Sequence, residues 1–207
     1  MMDGLDGQLV LDGATGTELA RRGVDVEGPL WSAAAMLEAP EVLEAVHRSY
    51  VEAGADLITA NTFRVSGPAL AAAGLESRHA ELAGEAVAIA RRACAAAGRP
   101  EVRVLGSVAP LGDCYDVSVK PTARACREEH ARSIAVLREA GVDGVVLETM
   151  PWVAEAAFAA RAAERLMPGR WWLSVVGDAG RPGRTLSGES MLELGPLPGG
   201  AAAIGAN

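Results

Sequence analysis

Aromatic side chains are scarce. Four Trp, two Tyr and two Phe make up 4% of the 207 residues, so a core of interlocking rings is excluded. The apolar half of the composition must instead bury small aliphatics and bring backbones close together. Cysteine is nearly absent too: three residues, an odd number at no framework spacing, exclude a disulfide-stapled scaffold and fit a reducing compartment. Basic charge is short, with 19 Lys and Arg against 27 Asp and Glu and a net charge of −8. That balance argues against nucleic acid as the main partner, because neutralising phosphates needs clustered cations. The opening MMDGLDGQLV carries acids where a secretory signal carries bases. No run reaches the roughly 18 apolar residues of a membrane span. P-loop, Ser-His-Asp and paired-carboxylate glycosidase patterns are also missing. These absences predict a cytoplasmic chain with neither a membrane nor a nucleic-acid partner.

What the sequence does contain is repetition. One domain covering 1–207 is expected from the length, with short apolar runs recurring at QLVLDGA (8–14), ADLITANTF (55–63), VRVLGSVAP (102–110), DGVVLETM (143–150), WWLSVVGD (171–178) and AAAIGAN (201–207). Most are continuous rather than alternating, the pattern of parallel strands buried on both faces; the last reads as a buried strand of small residues. Helices fill the intervals. One starts at Pro40, carries Val42, Leu43, Val46 and Tyr50 on its apolar stripe and stops at Gly54. A second runs from about Ser77 to Ala97. A third starts near Pro121, buries Ile134 and Leu137 and ends at Gly141. Two junctions, EAGADLIT (52–59) and EAGVDGVV (139–146), repeat the order helix, Ala-Gly-x-Asp, strand.

Such alternation allows a doubly wound sheet or a (β/α)8 barrel. The first turn, Asp12-Gly13-Ala14-Thr15-Gly16-Thr17, misses the G-x-G-x-x-G spacing of a dinucleotide-binding sheet. Nearly every strand ends in a polar residue, namely Asp12, Asn61, Ser107, Glu148, Asp178 and Asn207. A barrel gathers such ends at one mouth. The expectation is therefore an α/β fold of the (β/α)8 TIM-barrel family, incomplete here, with about six βα units.

Glu148 stands out among the candidate residues because it follows Gly144-Val145-Val146-Leu147 out of a buried strand. A desolvated carboxylate there needs a cationic partner, which can be a neighbouring Arg or a ligand ammonium; alternatively it serves as a general base. Asp12, with Gly13 and Gly16 beside it, can face a ligand, brace the glycine turn or cap the short helix expected over Thr17–Arg22. Asn61 and Thr62 can orient a ligand or satisfy loop backbone. Cys114, Cys126 and His130 form C-x11-C-x3-H, which matches no familiar zinc spacing. Cys94 reads as a small core residue, and His47 and His79 as surface side chains on helices.

Six stretches together resemble the homocysteine S-methyltransferase family: LDGATGTELARRG (11–23), AGADLITANTF (53–63), GSVAPLGDCY (106–115), EAGVDGVVLETM (139–150), GRTLSGES (183–190) and IGAN (204–207). They occur in family order along the whole chain. The resemblance implies a TIM barrel that transfers a methyl group to the thiol of homocysteine to give methionine. A free thiol titrates near ~8.5 and is mostly protonated at neutral pH, so the family activates it with zinc on three cysteines. The resemblance places the first of these directly after a G-x-N motif and the others in a later adjacent pair. Gly205-Ala206-Asn207 matches that G-x-N, which puts all three expected zinc ligands beyond Asn207 and leaves no catalytic residue or metal ligand in 1–207.

The resemblance further implies that Glu148 grips the homocysteine ammonium and that Asp12 and Gly13 hold its polar end, with Asn61, Thr149 and Asn207 lining the pocket. The partners would be homocysteine and a methyl donor of the S-methylmethionine, S-adenosylmethionine, betaine or folate type, a choice the sequence does not make. The expected behaviour of 1–207 alone is binding without turnover, and pairing of exposed sheet edges into a homodimer. The competing reading is a non-catalytic barrel fragment that binds an amino acid or a partner protein. A lyase using Glu148 as base is a further alternative.

Overall fold

The structure, a computed structural model, describes residues 8–194 and 200–206, and its chain divides into two compact groups. One comprises the described residues up to Ser107 together with Val136–Asp143; the other comprises Val108–Ala135 and the described residues from Gly144 onward.

In the first group, α1 (Thr15–Arg21), a 3-10 turn (Trp31–Ala34), α2 (Ala35–Glu38) and α3 (Pro40–Glu52) precede β1 (Leu57–Ala60), and α4 (Gly67–Ala72) and α5 (His79–Ala96) lead to β2 (Arg103–Val108). The strands β1 and β2 are parallel, with Ile58 opposite Val104 and Ala60 opposite Gly106. Pro40 opens α3, where a missing N–H costs nothing, and Leu43 and Val46 are fully buried on its inner stripe. Val42 and Tyr50, expected on that stripe, are half-buried.

The two Ala-Gly-x-Asp junctions are the same device used twice. After α3, Gly54 takes a φ of 102° and the Ala55 N–H bonds back to the Tyr50 carbonyl at 3.0 Å; after α6 (Ala123–Glu139), Gly141 takes a φ of 85° and Val142 bonds back to Leu137 at 3.4 Å. Only glycine adopts such angles without steric cost, so each helix ends there. The Asp two residues later then pins the neighbouring chain. Asp56 Oδ2 accepts the Val10 N–H at 3.0 Å, and Asp143 Oδ2 accepts the Val104 N–H at 2.7 Å. Each aspartate also meets an arginine, Arg99 at 3.6 Å and Arg91 at 2.8 Å.

The second group contains β3 (Gly144–Met150), α7 (Val153–Leu166), β4 (Trp171–Val175) and β5 (Ala201–Ala206). β4 pairs in parallel with both β3 and β5. Trp171, fully buried, seats its indole N–H on Glu164 Oε2 at 2.7 Å, so even the largest core side chain has its polar atom satisfied. On α6 the residues Cys126, His130, Ile134 and Leu137 are buried at helical spacing.

Three expectations change. The run 8–14 makes only a single parallel bridge, Leu11 to Leu57, because its contacts to β1 stop at Asp12. The last strand forms, but it is not buried: five of its six residues are exposed, since its side chains meet no covering layer among the described residues. His47 and His79 are not surface residues; they are 0% and 4% exposed. His47 follows Val46 and lies one turn beyond Leu43, which puts it on the packed face of α3 despite its charged sequence neighbours. The helix ends agree closely with expectation, α5 spanning His79–Ala96 and α6 ending two residues before Gly141.

Candidate functional site

In the first group, the end of the bridge strand and the end of β1 are tied together. The half-buried Asp12 accepts the Thr59 N–H on Oδ2 at 2.9 Å, and the Thr59 hydroxyl stands 3.1 Å from both carboxylate oxygens. The α1 N-cap is Ala14, with no side-chain cap, so Asp12 does not cap this helix; its carboxylate braces β1 at Thr59. Gly13 allows a close approach, and the group that uses it is Tyr50: a Cβ at Gly13 would lie 2.8 Å from the Tyr50 ring. The Tyr50 hydroxyl donates to the Ala14 carbonyl at 3.3 Å, and burial first, then the charges of Glu18 and Asp12, hold its pKa above the usual phenol value.

Asn61, directly after β1, is buried and locked at both ends of its amide. Nδ2 donates to the Ser32 carbonyl at 2.7 Å, and Oδ1 accepts the Ser32 hydroxyl at 2.8 Å. This holds the turn in which Trp31 adopts a φ of 47°, a strained value for a bulky side chain. Trp31 stacks on Phe63 at a ring separation of 6.0 Å, and the Arg64 guanidinium lies 3.6 Å over the indole. Sequence reading missed Ser32, Trp31 and Arg64; a lone Trp in a Gly-Pro loop was the available signal. Thr62 accepts the Ser107 N–H at 2.9 Å and donates to the Ser107 carbonyl at 2.8 Å, joining the ends of β1 and β2.

In the second group, β3 carries an irregularity at the position sequence reading singled out. Leu147 pairs with Leu173, but Met150 pairs with Val175, so Glu148 and Thr149 together oppose Ser174. A bulge of this kind re-aims side chains. Thr149 is buried with a φ of 61°, and its N–H reaches the Ser174 hydroxyl at 3.4 Å. A β-branched residue in the left-handed region costs on the order of 1–3 kcal/mol and persists only where its surroundings impose it. Within the otherwise buried β3, Glu148 is the one residue part-open to solvent. Its negative charge helps hold the Tyr115 phenol above its usual pKa, after burial and Cys114. Asn207 lies outside the described residues.

In the same group, α6 and α7 bury a polar pair. Glu155 Oε1 accepts the Leu111 N–H at 2.8 Å and stands 3.1 Å from His130 Nε2. The cysteines do not assemble a metal centre. Burial, followed by the Glu155 charge, pushes the Cys126 thiol up to about 11, and burial raises Cys94 as well. A zinc ligand needs the opposite, a thiolate. Among the described residues no three His, Cys, Asp or Glu side chains converge as a metal site.

A family description of homocysteine S-methyltransferase matches residues 9–207. A homocysteine S-methyltransferase of Escherichia coli is 33% identical over 178 residues, covering 80% of this chain and 57% of that protein. Homocysteine S-methyltransferase 3 of Zea mays is 29% identical, covering 99% of this chain and 66% of that one. The chain thus spans between about half and two thirds of the length of the curated relatives it matches. Among solved structures, the metallated form of the homocysteine methyltransferase MmuM from Escherichia coli superposes with a TM-score of 0.83 at 27% identity, over 98% of this chain and 75% of that one. Its oxidised form gives 0.84 at 29% identity.

Proposed function

The chain belongs to the homocysteine S-methyltransferase family, and from that premise we propose that its residues form the amino-acid-binding part of an enzyme that methylates the homocysteine thiol. The observation that carries the reading is the bulge at Glu148–Thr149. Backbone strain and an extra residue are spent on presenting one carboxylate from a buried strand, an arrangement that a purely structural acid does not need. Glu148 is assigned the substrate ammonium, a charge-assisted contact. Asp12 and Gly13 are assigned the polar end of the amino acid; Asp12 reaches that role already oriented by Thr59. Asn61, its amide held by Ser32, and Thr149, its N–H on the Ser174 hydroxyl, keep their assignments by resemblance alone. Asn207 keeps its assignment by resemblance alone.

Zinc, when bound, would hold homocysteine as a thiolate. The described residues do not fit that ion. Cys94, Cys114 and Cys126 are all buried, and Cys126 is held firmly protonated. In the family reaction the acceptor is homocysteine and the product methionine; the donor is left open.

Titration calorimetry with L-homocysteine tests this. Saturable binding that is lost in Glu148→Ala supports it. Equal binding by Glu148→Ala, or no binding by the parent chain, removes Glu148 from the site. A methyl-transfer assay with L-homocysteine and candidate methyl donors tests the reaction itself.

A further inference from the structure

Glu155 is 2% exposed and His130 is 1% exposed, which makes them the most deeply buried acid and base in contact in the described chain. Placing a carboxylate there costs several kcal/mol unless the groups around it compensate. Its own helix does not require it, because the first N–H of α7, that of Val153, is taken by Glu189 Oε2 at 2.5 Å. Nor does packing require it. The small cleft of about 70 Å³ beside it is walled by Cys126, Trp152, Phe158 and the stem of Lys120, surroundings that an apolar residue would fill at less cost. What an apolar residue could not do is accept the Leu111 N–H. Glu155 Oε1 receives that N–H from 44 residues earlier and faces His130 Nε2 on the same oxygen, while Oε2 has no hydrogen-bond partner among the described residues.

We propose that Glu155 is a positioning residue: braced by His130, it anchors the Pro110–Tyr115 loop. Leu111 is the loop's second residue, and Cys114 and Tyr115 follow within four positions. Cys114 is packed inside at 1% exposure, so this short loop is held down at both ends. Tyr115 feels the Glu148 charge, which places the loop within electrostatic reach of the carboxylate assigned to the substrate. The anchor's effect on homocysteine rests on the function proposed above; the anchor itself does not.

Cysteine alkylation of the unliganded full chain separates the two. Iodoacetamide labelling followed by peptide mass spectrometry reads each cysteine individually. In Glu155→Leu, Cys114 should label at least tenfold faster than in the parent, while Cys94, on α5, stays within twofold. Glu155→Gln keeps an acceptor oxygen and should restore Cys114 protection. Amide exchange at Leu111 in the parent chain is the second measurement, independent of whether any variant folds; the N–H should be strongly protected. A fast-exchanging Leu111, unchanged Cys114 labelling in Glu155→Leu, or Cys94 rising in step with Cys114, overturns the proposal. Homocysteine calorimetry should show weaker binding in Glu155→Leu and near-parental binding in Glu155→Gln. Selective Cys114 exposure in Glu155→Leu, together with a parent chain that binds no homocysteine, leaves the anchor standing and removes the assigned pocket.

Discussion

Asp12 Oδ2 accepts the backbone N–H of Thr59 at 2.9 Å, across 47 residues of sequence, and the Thr59 hydroxyl reaches the same carboxylate. One side chain thus ties the bridge strand to β1 and fixes the direction in which its own carboxylate faces. Hydrogen bonds to a charged group contribute about 1.5–3 kcal/mol each before solvent exposure is discounted. Asp12→Ala should therefore lower stability by about 1–3 kcal/mol and weaken homocysteine binding, whereas Thr59→Val should lower stability by less. Urea melts of both single variants and the double variant measure the coupling. A double variant whose loss equals the sum of the two singles would show that this contact is not an interaction of any weight.

Glu148 is expected to serve the ligand rather than the fold. Glu148→Gln should reduce homocysteine affinity at least tenfold. The same substitution should lower the Tyr115 phenol pKa, because the anion that disfavours phenolate is gone. Spectrophotometric titration in a Tyr50→Phe background reads Tyr115 alone, as the sequence has two tyrosines. An unchanged phenol titration would place Glu148 away from the loop.

His47 makes stability depend on pH. It is fully buried, neither ring nitrogen has a hydrogen-bond partner among the described residues, and burial lowers its pKa from 6.5 to about 4. Because the folded value lies below the unfolded one, the unfolded chain binds the proton first. The stability contribution is therefore intact above pH 6.5 and is lost progressively as the pH falls towards 4. Between pH 7 and pH 5 this single group should remove about 2 kcal/mol, at 1.36 kcal/mol per pKa unit. His47→Leu, of similar shape and without a buried donor, should be at least as stable at pH 7 and should lose that part of the acid sensitivity. Denaturant midpoints at the two pH values decide it; parallel losses in parent and variant would put the sensitivity elsewhere.

The exposed strand β5 should drive self-association. It pairs with β4, and Ile204 and Leu192 are 54% and 88% exposed. Unprotected edges with apolar side chains pair readily. Light scattering of 1–207 should show a mass that rises with concentration, and Ile204→Lys should shift it towards monomer. A concentration-independent monomer in the parent chain would refute the edge-pairing expectation.

Much of the fold could be read from punctuation. The α3 and α6 ends follow from Gly54 and Gly141, and the strands β1 to β4 lie inside the apolar runs that announced them. The repeated Ala-Gly-x-Asp junction was visible as a pattern, but its purpose was not, because Asp56 and Asp143 act on Val10 and Val104, dozens of residues away. Glu148 was legible because a carboxylate at the end of an apolar run is anomalous in itself. The bulge beneath it was not, since it arises from pairing with β4.

Histidines marked the limit of local reading. His47 and His79 have charged neighbours in sequence, yet helical periodicity carries them inward. His130 and Cys126, four residues apart on α6, are both buried, but the partner that matters, Glu155, lies on the next helix.

By itself the sequence determined the alternation of strands and helices, the places where helices stop and the acids that end strands, because each depends on residues within a turn or two of one another. The tertiary structure alone decided what those acids, and the helical Glu155, meet. Asp12 is bound by Thr59, Glu155 by Leu111 and His130, and Glu148 is lifted by a bulge against Ser174. Partnership of that kind depends on distance in space, and a buried carboxylate's role is set by whichever donors the folded chain brings to it.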